Sequence, residues 1–354
     1  MKNSPLLNLT LALLLVLIVG FLLEIGQPIL VPVVTAVIAI YVMMTMADAL
    51  QKLPLLNLLP PALLRAFALI VFVLALYAFA VVVASTVTDM VNAAPGYQEN
   101  IAHFLSTIEE QFHIDTSAFK DNFIASTFGN WSVRSIILTV LGGFTSIGAS
   151  AFLIVLYATF LMAERSRFGH RIATALGNRG QADKVEEIIR DINRQIGTYL
   201  TIKTLINIIL GGASYLILIF LQVDFALFWA IMIALLNYIP YFGSLLAVLF
   251  PVVLSVAQTG SLLHTALLAA LLVGAQVYVG NFLEPRLVGR QLNLSPFVIV
   301  VALSIWSALW GIAGAILAVP MTSVIVIVLA SFDETRFIAI LLSDRVGDDE
   351  KEEA

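Results

Sequence analysis

Apolar runs of 18 residues or more recur along most of this chain, and no other sequence feature constrains the fold as strongly. Each is long enough to cross a hydrocarbon core of about 30 Å. In lipid a backbone must satisfy its own hydrogen bonds, which leaves helices or closed β-barrels. Barrel strands would alternate polar and apolar residues over about ten positions, and the runs Leu11 to Leu23 and Leu262 to Val279 do not alternate. The expected fold class is therefore all-α, a polytopic membrane protein. Composition agrees: of 354 residues, 60% are hydrophobic and 12% charged, against roughly 25% charged in a soluble domain. The sequence has no cysteine, which excludes disulfides, thiolate metal sites and cysteine catalysis. Lys2 and the apolar run behind it resemble a signal peptide, but no small-x-small cleavage site follows. That run is expected to stay as a first transmembrane helix.

The first span is read at Pro5 to Leu23 and the second at Pro28 to Ala49, with Pro28 and Pro32 in first turns where a missing amide is tolerated. A third span, Ala62 to Thr88, completes an N-terminal group of three over residues 1–88. Residues 89–131 are too polar to span. Within them Tyr97, Ile101, Phe104, Leu105, Ile108 and Phe112 fall at helical spacing, as in an amphipathic surface helix. A fourth span covers 132–163. Residues 164–195 form a second amphipathic segment marked by Val185, Ile188, Ile189 and Ile192, which feeds a fifth span, Ile196 to Leu221. Residues 89–131 hold one basic residue, Lys120, against six acidic ones, whereas 164–194 hold seven basic ones. The positive-inside rule then puts 164–195 in the cytoplasm and 89–131 outside. Both termini, including the acidic tail 332–354, are expected in the cytoplasm.

Residues 196–331 read as a transport core. Two apolar segments within it, Phe225 to Ala257 and Pro296 to Ser331, would be about 50 Å and 54 Å long as straight helices. Both contain breakers: Asn237-Tyr238-Ile239-Pro240-Tyr241-Phe242-Gly243 in the first, Gly311, Gly314 and Pro320 in the second. Two re-entrant helical hairpins are expected, beside about six full transmembrane helices; eight simple spans are the alternative. With hairpins, the loop carrying Glu284, Arg286 and Arg290 is cytoplasmic, as its arginines favour. A span plus an outer hairpin, followed by a span plus an inner hairpin, approximates an inverted repeat.

Charged and polar residues inside these segments are the candidates for chemistry. Glu284 beside Arg286 and Arg290 reads either as a gate or coupling site, paired within the loop, or as an interfacial loop with snorkelling arginines. The stretch Asn237 to Gly243 reads as a hairpin tip lining a substrate path or as a proline kink. Lys203 and Asn207 share one helix face; Lys203 reads as snorkelling to the interface, and Asn207 lies deeper and needs a partner. Gln276 reads as helix–helix glue or a ligand contact. Gly142, Gly143, Gly148, Gly211 and Gly212 read as close-packing positions, and Asp224 as a turn residue just outside the membrane. The histidines, His103, His113, His170 and His264, lack metal-ligand spacing. No Gly-x4-Gly-Lys-Ser/Thr loop is present, and no cofactor or metal is expected.

These motifs together resemble the autoinducer-2 exporter family of bacterial membrane transporters. The resemblance rests on Gly197-Thr198-Tyr199 with Asn207, on Asn237 to Gly243, on Glu284-Pro285-Arg286-Leu287-Val288-Gly289-Arg290 with Leu294-Ser295-Pro296, on Trp310-Gly311-Ile312-Ala313-Gly314, and on Pro320-Met321-Thr322. Ser244 stands where many relatives have proline. The resemblance implies a carrier in the bacterial inner membrane that forms homo-oligomers, some members exporting the furanone signal and others exchanging sodium for protons.

Three functions are carried forward. In the first, the chain exports a small polar solute such as autoinducer-2. The two tips then meet near the midplane, with Asn207, Asn237, Tyr238, Pro240, Tyr241, Gly243, Gly311, Gly314 and Pro320 along the path and Glu284, Arg286 and Arg290 as the gate. In the second, it is a cation/proton antiporter with Glu284 as proton carrier. In the third, it is a non-transporting membrane scaffold. No nucleophile–base pair suggests an enzyme, and no nucleic-acid partner is expected.

Overall fold

The computed structural model describes residues 5–51, 60–112, 150–164, 179–288 and 293–344. Their regular structure is entirely helical: α1 (Pro5–Ile25), α2 (Gln27–Gln51), α3 (Pro61–Phe112), α4 (Ser150–Glu164), α5 (Arg179–Phe220), α6 (Ala226–Leu236), α7 (Phe242–Thr259), α8 (Leu262–Tyr278), a π turn (Val279–Leu283), α9 (Glu284–Val288), α10 (Pro296–Ala330) and α11 (Arg336–Leu342). The all-α membrane fold is borne out. Among the described residues six helices are long and apolar enough to cross a membrane. They are not the expected six. The set counts α7 and α10, which belong to the expected hairpins, and omits α1 and α4. The predicted span 132–163 lies largely outside the described residues, as do Gly142, Gly143 and Gly148. Side chains such as Leu17, 72% exposed, cover α1 with apolar surface that only lipid or another apolar partner could meet.

The chain divides into two compact units. The first comprises residues 1–57, 152–201 and 290–354. Here α2 packs on α10, and α1 touches both. The Tyr41 hydroxyl donates to Asn193 Oδ1 at 2.6 Å, and the Thr45 and Thr201 hydroxyls lie 2.5 Å apart. α10 is two helical legs joined at a kink, not one rod. Gly311 leaves helical geometry with φ 60° and ψ −139°, a conformation open to glycine and strained for other residues. Beyond it the chain folds back. Trp306 Nε1 donates to Thr322 Oγ1 at 3.2 Å, although sixteen residues of straight helix would hold them about 24 Å apart. A Cβ on Gly314 would fall 1.8 Å from the Trp306 carbonyl oxygen, so only glycine lets the legs touch. At the other end α11 lies against α10, with the Ser295 amide donating to the Leu342 carbonyl at 3.1 Å.

The second unit comprises residues 58–151 and 202–289. Its core joins Ile206, Leu210 and Leu218 of α5, Ala230 and Ile233 of α6, Ala247 of α7, and Leu268 and Leu272 of α8. α6 and α7 form a helical hairpin, tied at both ends. At the tip a Cβ on Gly243 would fall 1.8 Å from the Leu236 carbonyl oxygen. At the open end Gln258 accepts from the Asp224 amide at 2.9 Å and donates to the Gln222 carbonyl at 2.8 Å. Leu221, just past the end of α5, and Asn207 on α5 are fourteen residues apart, which makes the hairpin about 21 Å deep where its tip meets Asn207.

The polar segment after the third span does not begin a new element. α3 runs unbroken for 52 residues, about 78 Å, so Tyr97 and Asn100 stand on the third span's own helix. That extension holds the hairpin's open end: Tyr97 donates to Asp224 Oδ2 at 2.7 Å, and Asn100 to the Gln258 carbonyl at 2.6 Å. Burial, reinforced by the Asp224 carboxylate, pushes the Tyr97 phenol well above its usual range.

Candidate functional site

The sequence Asn237 to Gly243 makes a turn that cannot relax into helix. Pro240 has no amide to continue the ladder. The Phe242 amide instead donates to the Pro240 carbonyl at 2.7 Å, across Tyr241 at φ 62° and ψ −62°. This is a γ-turn of the rare positive-φ kind. In a non-glycine residue such a conformation costs about 1–3 kcal/mol, held only by surrounding structure. Helix α6 ends just before it, at Leu236, and its last carbonyls, Leu235 and Leu236, accept from the Tyr238 and Ile239 amides, so Asn237 and Tyr238 project from a tightened helix end.

What they meet comes from α5 and α8. Gln276 Nε2 donates to Asn237 Oδ1 at 3.0 Å, and Asn237 Nδ2 donates to Asn207 Oδ1 at 2.8 Å. One turn before Asn207, the Thr204 hydroxyl lies 2.6 Å from that of Tyr238. Asn207 and Asn237 are 2% and 8% exposed. The Asn207 amide nitrogen is buried without a hydrogen-bond partner among the described residues. Three amides and two hydroxyls thus converge where an apolar bilayer core would otherwise pack aliphatic side chains.

The charged residues arrange themselves differently from the expectation. Glu284 pairs with Lys203, Nζ to Oε1 at 2.5 Å, and not with an arginine of its own loop. Lys203 is 5% exposed, so it does not snorkel. Arg286 is exposed, and Arg290 lies outside the described residues. The π turn makes this pairing possible. On an unbroken α-helix Glu284 would stand about 80° around the axis from Gln276. One residue absorbed by the π turn brings it within about 20° of the same face. Gln276 and Glu284 can then both address α5, where Lys203 and Asn207 are themselves one turn apart.

Of the residues expected on a substrate path, the structure gathers Asn207, Asn237 and Tyr238 into one cluster. Pro240, Tyr241 and Gly243 build the turn beneath it. Gly311, Gly314 and Pro320 belong to the other unit and shape its own hairpin. Two things escaped the sequence reading: Lys203 as the partner of Glu284, and Gln276 as a partner of the tip. A signal for the first existed, because Asp224 and Glu284 are the only carboxylates in 196–331 and Asp224 sits at a turn. Among the described residues no group of three or more His, Asp or Glu side chains could hold a metal ion.

Comparison with known proteins points the same way. The chain is 28% identical over 288 residues to the AI-2 transport protein TqsA of Escherichia coli strain K12, covering 80% of this chain and 82% of that one. It is 29% identical over 269 residues to a provisionally named transport protein of Haemophilus influenzae, with 73% and 75% covered. A similarly named protein of Borreliella burgdorferi is 28% identical over 258 residues, with 73% and 70% covered. The family model described as AI-2E family transporter matches residues 11–333. A multi-pass helical chain with buried polar groups inside its apolar bundle, matched over that length, belongs to the AI-2E family of membrane transporters.

Proposed function

We propose that this protein exports a small polar solute across the bacterial inner membrane, and that the solute passes the cluster Asn207, Asn237, Gln276, Thr204 and Tyr238. The observation that carries this reading is the buried, unpartnered amide of Asn207 beside a strained hairpin tip. Polar groups inside a membrane bundle are costly and mark solute or ion paths. Irregular backbone at that depth survives where protein or water meets it. Both hairpins are taken as re-entrant, both termini as cytoplasmic, and the working assembly as a homo-oligomer. TqsA is named for AI-2 transport, so AI-2 is the first solute to try. Membership of a transporter family sets the scaffold reading aside.

The second reading, a sodium/proton antiporter, draws support from the ion pair of Lys203 with Glu284 in the same unit. Flux of AI-2 into and out of liposomes holding the purified protein separates the two. Protein-dependent AI-2 movement, with its response to proton and sodium gradients, supports the exporter. Sodium-driven pH change without AI-2 movement replaces it with the antiporter. Topology has its own test in this cysteine-free chain: a single cysteine at Gln291 labels from the cytoplasm if the hairpins are re-entrant. Labelling from outside restores simple spans.

A further inference from the structure

The amide cluster has a direction. Gln276 donates to Asn237, and Asn237 donates to Asn207. Asn207 accepts at its oxygen, and its amide nitrogen, although the side chain is 98% buried, makes no hydrogen bond of full geometry, with the Tyr238 hydroxyl as its polar neighbour. Hydrogen bonds in such a chain polarise one another, so the terminal N–H is the strongest donor of the set. Its desolvation stays uncompensated until an acceptor arrives.

We infer that Asn207 Nδ2 is the atom that reads the transported solute, and that it takes a carbonyl or hydroxyl oxygen of a neutral solute, not a bare cation. A sodium-sized cation needs several oxygens converging on it, and an N–H pointing at it is repulsive. The Tyr238 hydroxyl, 2.6 Å from that of Thr204, keeps a lone pair that suits a hydroxyl of the same solute. The Lys203–Glu284 pair is neutral in sum and leaves no charge for a solute to balance. This rests on the exporter reading above and adds which atom recognises the solute and what charge class it selects.

The test is equilibrium binding of labelled AI-2 to the purified full-length protein, with sodium as competitor. Asn207→Asp keeps the side chain's shape and exchanges the donor for an acceptor. It weakens AI-2 binding by about 10-fold or more. Asn207→Gln, which keeps a donor, loses less, and excess sodium does not compete. Asn207→Ala, uncharged and lacking the donor, serves if the aspartate variant does not give monodisperse protein, and it shows the same loss. Unchanged binding in the Asn207 variants, with Asn237→Ala still weakening it, overturns Asn207 as the reading atom and leaves the exporter standing. Competition by sodium overturns the neutral class. Wild-type protein that binds no AI-2, or binding indifferent to Asn207→Asp and Asn237→Ala alike, overturns the exporter reading and the inference together.

Discussion

The two helical hairpins are built by one device and finished in two ways. In each, a glycine just past the bend, Gly243 or Gly314, lies so close to the opposing leg that a Cβ would fall 1.8 Å from a carbonyl oxygen. In each, the chain reverses through positive φ, at Tyr241 in one and Gly311 in the other. The finishing differs. Around Gly311 the bend is relaxed, because glycine accepts it, and the indoles close it: Trp306 donates to Thr322, Trp310 donates to the Leu23 carbonyl at 3.0 Å, and the two rings lie 5.0 Å apart. Around Tyr241 the bend is strained, and its neighbours are amides and hydroxyls that stop one donor short of satisfaction. A satisfied, relaxed tip suits a scaffold; a strained tip with an orphan donor suits a site.

The largest test of the shared device is Gly243→Ala against Gly314→Ala. Each places a Cβ inside the opposing backbone and should destabilise by about 3 kcal/mol or more, read as loss of monodisperse protein. Survival of one variant would show that its legs are not held as described. Next, Glu284→Gln leaves the Lys203 ammonium buried and alone. We expect a loss of about 2 kcal/mol, less than for a fully buried pair because Glu284 is partly exposed. Lys203→Met with Glu284→Gln should restore most of it, and failure to do so would mean that the pair is not the principal interaction of either residue.

The contrast in function is sharpened by Asn237→Ala against Trp306→Phe. The first breaks the amide chain in the middle and should cut solute flux about 10-fold. The second removes one hydrogen bond, costs about 1 kcal/mol of stability, and should leave flux unchanged. Equal flux losses would erase the distinction between tip and scaffold. Smallest is Tyr97→Phe, expected to cost about 1 kcal/mol at the hairpin's open end. Because the folded state holds the Tyr97 proton more tightly than the unfolded chain, its contribution is full below about pH 10 and is lost as pH rises beyond it. Tyr97→Phe should therefore flatten the alkaline fall in stability, measured by denaturation between pH 9 and 11, taken as roughly bracketing the tyrosine range.

Much of this was legible in order along the chain. Hydropathy reports the solvent each residue needs, so the apolar runs, the breaks at Asn237 to Gly243 and at Gly311, and the isolation of Asn207 could be read directly. Two features were not legible, each for its own reason. Polarity changes after Thr88, but helix propagation does not require apolar residues, and α3 continues to Phe112. Lys203 was sent to the interface because a lone lysine prefers water, without sight of the carboxylate 81 positions away that receives it.

The sequence by itself determined the all-α membrane class, the positions of the breaks and the family, because these depend on residue chemistry and local backbone freedom. Tertiary structure alone decided who meets whom: Lys203 with Glu284, Gln276 with Asn237, Tyr97 with Asp224, Trp310 with the carbonyl of Leu23. A polar group in a low-dielectric interior must find a partner, but its own sequence does not name one. The partner is set by how helices pack and by a single π turn that rotates Glu284 onto the face of Gln276.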